Sequence, residues 1–210
     1  MMQNLKNRLA LCLAALALLA SHAVHALPTY HVSVDTRGFA GEALLDLTFL
    51  ANAGATPASA VLDNFSGAFG ATFDASPYVA GTIPAGVVLG NRNGGDYLTQ
   101  YVRLGGWLSF DIRFGGAFAT TENIDASLFA ATLYNTGLTG HIGDAGSLVE
   151  FALLPQVDGI PGGIDVTASA LASVTEVSPV PEPSMLPMAL TGLGLLGLHR
   201  RRQSKTVRKR

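Results

Sequence analysis

Between residues 27 and 178 apolar and polar side chains alternate with period two in several stretches, and strands with one buried face are the regular elements that fit such a pattern. Leu108, Phe110, Ile112 and Phe114 oppose Trp107, Ser109, Asp111 and Arg113. Tyr30, Val32 and Val34 oppose His31, Ser33 and Asp35. A third run begins at Ile164 and reads as one strand, with Val166, Ala168, Ala170, Ala172 and Val174 against Asp165, Thr167, Ser169, Ser173 and Thr175. Weaker runs lie at 43–50, 59–66, 86–89, 97–104, 127–134 and 147–154, which brings the expectation to about nine strands. Turn formers separate them, as in Asn91-Arg92-Asn93-Gly94-Gly95-Asp96 and Asp158-Gly159-Ile160-Pro161-Gly162-Gly163. No helical segment and no fixed-period repeat stands out. The expectation is therefore an all-β fold, an antiparallel β-sandwich of jelly-roll-like type.

The formal charge of −2 hides a strong segregation. Arg37, Arg92, Arg103 and Arg113 are the only bases between residues 27 and 180, against fourteen acids from Asp35 to Glu176, so this body carries about −10. Such a surface repels nucleic acid and anionic lipid. The single cysteine, Cys12, precedes the body, so the fold must rest on packing and hydrogen bonds without disulfides.

The two ends read as targeting segments. Lys6 and Arg8, the apolar stretch Leu9 to Ala20 and the small residues before Leu27 form a secretory signal over 1–26, cut by signal peptidase after Ala26 or, alternatively, Ala23. Leu11 is too large, and too early in the apolar region, for Cys12 to be a lipidated cysteine. At the other end, Val180-Pro181-Glu182-Pro183-Ser184 is held extended by its prolines. An apolar segment, 185–198, and a basic tail, 199–210, follow. Fourteen residues span about 21 Å as a helix, short for a bilayer, and the basic cluster behind them favours the cytoplasmic side. This is a weak anchor.

These three parts, in this order, resemble the PEP-CTERM sorting signal of Gram-negative bacteria, also known as an ice-binding-protein C-terminal domain. The resemblance covers 179–210. It implies recognition of Pro181, Glu182 and Pro183 by an exosortase, cleavage near them, and release or transfer to the cell surface in bacteria that make extracellular polysaccharide. The opening strand Tyr30 to Asp35 and the following Leu45 to Phe49 also resemble the start of other exported proteins with this signal.

Sites of chemistry are sparse. The body holds only His31 and His141, no Gly-x-Ser-x-Gly and no P-loop lysine, which argues against a serine hydrolase, a zinc centre and a nucleotide site. Fourteen acids guarantee some close pair without pointing to a glycosidase. Asn91, Asn93 and Asp96 in one loop, with Asp144 and Asp158 in others, are the oxygen donors a structural calcium would use. Plain turns explain them as well. Trp107, on the polar face of its strand with Asp111 and Arg113 and preceded by Tyr97 and Tyr101, is the candidate for stacking on a sugar ring. The expectation is a non-enzymatic exported protein of the cell surface or matrix. The alternatives are a module for extracellular polysaccharide and a secreted hydrolase.

Overall fold

A computed structural model describes residues 28–143 and 146–177. The signal segment with Ala26, the sorting tail with Pro181, Glu182 and Pro183, and Asp144 lie outside the described residues. What is described is all-β, with two antiparallel sheets and, besides strands, only short 3-10 turns at Arg92–Gly94 and Phe118–Thr120.

Twelve strands replace the nine expected. They are β1 (Thr29–Asp35), β2 (Glu42–Ala51), β3 (Ala58–Ser66), β4 (Phe69–Ala75), β5 (Ala80–Thr82), β6 (Gly86–Gly90), β7 (Gly95–Arg103), β8 (Trp107–Gly116), β9 (Ser127–Asn135), β10 (Ser147–Leu154), β11 (Gly163–Ala168) and β12 (Ala172–Val177). Sheet A runs β12-β1-β8-β3-β6-β5 and sheet B runs β11-β10-β9-β2-β7-β4. The pairs β1:β8, β2:β7 and β3:β6 follow one antiparallel ribbon wound back on itself, while β5 pairs with β6 instead of β4.

The additional strands have physical reasons. β4 and β5 are edge strands with mostly exposed residues, and β4 is irregular in register against β7, so neither carries an alternation. The run from Ile164 keeps its parity but not its continuity. Val166 lies opposite Phe151 on β10, and Val174 opposite Val32 on β1, so both point to the inner side. Between them the chain passes from sheet B to sheet A, held by Ser169 N–H donating to the Leu148 carbonyl and Asp35 N–H donating to that of Leu171. Its edge position leaves Val166 38% exposed.

The alternation elsewhere puts the apolar face of each sheet inward. Tyr30 and Phe114 of sheet A meet Phe49, Phe129 and Phe151 of sheet B, with ring centroids 5.1–6.2 Å apart. Phe151 touches three of these rings and is fully buried. Tilted and edge-on aromatic pairs add about 0.5–1.5 kcal/mol each beyond the area they bury. Leu45, Leu47, Leu62, Leu89 and Ile112 complete a single core between the sheets.

Strands β1 and β12 are neighbours in antiparallel register, with Thr29 opposite Val177. The strands that lead to the two terminal segments therefore end side by side. Replacing Phe151 by alanine should lower the unfolding free energy by about 3–5 kcal/mol in urea titration. Val166→Ala on the exposed edge should change it by no more than about 0.5 kcal/mol. Equal losses would show that the rings between the sheets are not the main support.

Candidate ligand-binding site

On β8 the residues that do not face the core form a row on the outer side of sheet A. Trp107, Ser109, Asp111 and Arg113 stand opposite Asp35, Ser33, His31 and Thr29 of β1. Asp111 also stands opposite Asp63 of β3. Two carboxylates in directly opposed positions repel, and each here has its own partner. Arg113 Nη1 lies 2.5 Å from Asp63 Oδ2. His31 Nδ1 lies 2.6 Å from Asp111 Oδ1, and Asn64 Nδ2 donates to Asp111 Oδ2 at 2.7 Å. Asn64 reaches it because β3 breaks register after Asp63 and Asn64 takes a left-handed conformation, φ 51°. Burial pushes the Asp111 pKa up, but the hydrogen bonds from Asn64 and His31 and the charges of His31 and Arg113 outweigh it, so the net shift is downward.

Trp107 stands at the end of this row and is 49% exposed. Arg37 lies over its ring, 4.8 Å from guanidinium carbon to centroid, a cation–π contact. Asp35 fixes that guanidinium with two hydrogen bonds, from Nε at 2.9 Å and from Nη2 at 2.7 Å. The structure thus brings Trp107, Asp111 and Arg113 onto one face. It does not bring Tyr101 to them: the chain crosses to the other sheet after β7, and Tyr101 lies in sheet B, edge-on to Phe73 at 5.6 Å. Tyr97 is also in sheet B, its hydroxyl donating to Asp74 Oδ2. Neighbours in sequence across a crossover are not neighbours in space.

The two histidines lie in separate surroundings. His141 stacks on Tyr134 at 4.8 Å, while His31 makes only its bond to Asp111 among the described residues, with no hydroxyl on its other nitrogen. A nucleophile and base are not assembled there.

The loop suggested for calcium is held by its own bonds. Asn91 Oδ1 accepts from Ala58 N–H, and its Nδ2 donates to the Thr56 carbonyl and to Ser127 Oγ. Asp96 accepts from Ser76 Oγ and from Gly90 N–H, both at 2.7 Å. The Asp158 N–H donates to Glu122. Among the described residues no group of three or more His, Cys, Asp or Glu side chains is placed to hold a metal ion. The oxygens of Asn91 and Asp96 accept from neutral donors within the fold.

The same loop instead borders a cleft of about 540 Å³ at the rim of the sandwich. Tyr78, Arg92, Asn93, Asp96 and Ser59 line it. A sequence reading misses it because these residues come from separate segments, between positions 59 and 96, that only the winding of the strands joins. The one local hint is Tyr78, an aromatic residue in a Ser-Pro turn.

Hydrogen bonding to Arg37, through its side chain and then its backbone, lowers the Asp35 pKa to about 2. A depressed carboxylate pKa gives a contribution that is complete above the ordinary aspartate value of about 3.9. That contribution is lost as pH falls through about 2. Emission from Trp107, the sole tryptophan, should therefore change with a midpoint near pH 2, followed beside far-ultraviolet dichroism to separate unfolding. A midpoint near the ordinary value of about pH 4 would remove Arg37 from Asp35.

Comparison with known proteins adds one assignment. The PEP-CTERM protein-sorting motif matches residues 179–203. No curated protein and no solved structure matches the chain. Among the described residues no helix is long and apolar enough to cross a membrane, and the apolar segment 185–198 lies outside them. The chain carries a PEP-CTERM protein-sorting motif, the mark of an exported protein that an exosortase processes.

Proposed function

We propose that this is a non-enzymatic protein of the cell surface or extracellular matrix, delivered as a folded sandwich and released from its tail by an exosortase. The sorting motif following a β-sandwich domain in sequence supports this reading. Signal peptidase removes residues 1–26, and the segment 185–198 holds the chain in the inner membrane only until processing. β12 ends at Val177 and three residues separate it from Pro181. Removing the tail also removes seven basic residues and leaves the acidic body. The outer-face side chains Asp35, Asp63 and Asp111 are engaged by Arg37, Arg113, His31 and Asn64, which suits a surface that is stable outside the cell more than one prepared for proton transfer.

A second reading, a module for extracellular polysaccharide, is favoured by the exposed ring of Trp107, one face under Arg37 and the indole beside charged groups. The pairing of β1:β8, β2:β7 and β3:β6 supports a jelly-roll arrangement, an architecture that includes lectins, and this is an analogy from fold.

Mass spectrometry of surface material should find a chain ending near Pro181-Glu182-Pro183, and recovery of Arg210 would overturn the processing step. Glu182→Ala should hold the protein in the inner membrane. Surface delivery at the wild-type level would count against recognition of the motif. Retention of the processed protein on polysaccharide from its host would favour the second reading, and turnover in a broad glycosidase and esterase screen would overturn the non-enzymatic one.

A further inference from the structure

The rim cleft has the two properties that the face around Trp107 lacks, an unoccupied aromatic ring and an unpaired cation. Tyr78 is 69% exposed, and among the described residues its ring meets no other ring and its hydroxyl makes no hydrogen bond. Arg92 is exposed as well, and among the described residues it has neither ion pair nor side-chain hydrogen bond, whereas Arg37 and Arg113 are committed to Asp35 and Asp63. Both line the same cleft.

The walls are held in place by one buried carboxylate. Asp96 is 4% exposed and accepts from Ser76 Oγ at 2.7 Å, fixing the turn that bears Tyr78, and from Gly90 N–H at 2.7 Å, fixing the end of β6. The Arg92 loop is fastened separately through Asn91 to Ala58, Thr56 and Ser127. Ring and guanidinium are thus presented from anchored backbone, which lowers the ordering cost of binding.

We propose that this cleft binds a ring of a neutral saccharide, with Tyr78 stacking on the ring and Arg92, Asn93 and Ser59 hydrogen-bonding its hydroxyls. This deepens the polysaccharide-binding reading and rests on it, but moves the site from Trp107 to the rim. A sugar ring has an apolar face and a polar edge, and the cleft offers an aromatic face beside several donors and acceptors. The neutral class follows from charge. The cleft sets one arginine against Asp96 within a body of about −10, and that field opposes an acidic polymer.

The test is titration calorimetry of the processed protein with cellohexaose and dextran oligosaccharides as neutral probes and oligogalacturonate as the acidic one. Binding of a neutral probe should be insensitive to salt, and Tyr78→Ala and Arg92→Gln should each weaken it about tenfold or more. Ile160→Ala, exposed and outside the cleft, should change it less than about twofold, and all three variants should keep the wild-type thermal midpoint because the residues are exposed. Neutral binding that survives Tyr78→Ala and Arg92→Gln overturns the site, and tighter, salt-sensitive binding of oligogalacturonate overturns the ligand class. If neither the probes nor host polysaccharide binds the wild-type protein, the saccharide reading itself fails. If host polysaccharide is retained equally by the wild type and both cleft variants, only the assignment to the cleft fails.

Discussion

The packing of aromatic rings between the sheets is the interaction on which the rest of the structure depends. Phe151 stands on sheet B and meets Tyr30 and Phe114 of sheet A, and Phe129 joins it from the neighbouring strand. With no disulfide available in the body, the hydrophobic contact between two sheets is the main source of stability. It also orients the outer face of sheet A, because period two turns the alternate residues of β1 and β8 away from the core. The row of Trp107, Asp111 and Arg113 exists because Leu108, Phe110, Ile112 and Phe114 are buried behind it.

Charge is arranged on two scales. Locally, Asp35, Asp63 and Asp111 on the outer side of sheet A are matched to Arg37, Arg113, His31 and Asn64, so each of the opposed carboxylates Asp63 and Asp111 has its own partner. Globally, most bases sit in the terminal segments and the acids sit in the body. The basic residues within 200–210 follow Pro181-Glu182-Pro183 of the sorting motif, and the body before it is acidic.

At the rim, the Asp96 carboxylate joins the Ser76 turn to the end of β6, and the Asn91 amide joins its loop to the start of β3 and to β9. Composition alone presents these as a possible cation site. In the structure they are fasteners, and their oxygens accept from backbone and hydroxyl donors. The residues left free by that fastening, Tyr78 and Arg92, are the ones with capacity for a ligand.

The amino-acid sequence by itself determined the all-β character, the buried parity of the strongly alternating strands and the sorting motif, because each depends on local pattern: period two, turn residues and an ordered tripartite tail. Through 164–174 Val166 and Val174 keep to the inner side by register, but Val166, Ala168 and Ala170 are exposed and the strand itself is broken. Only the tertiary structure decided that this run serves two sheets, that Tyr101 lies across the sandwich from Trp107, and that β4 and β5 are strands at all. It also decided which residues form the rim cleft. The physical reason is that sheet membership and edge position are set by long-range pairing. A one-dimensional pattern records which way a side chain points and not which strand it will meet.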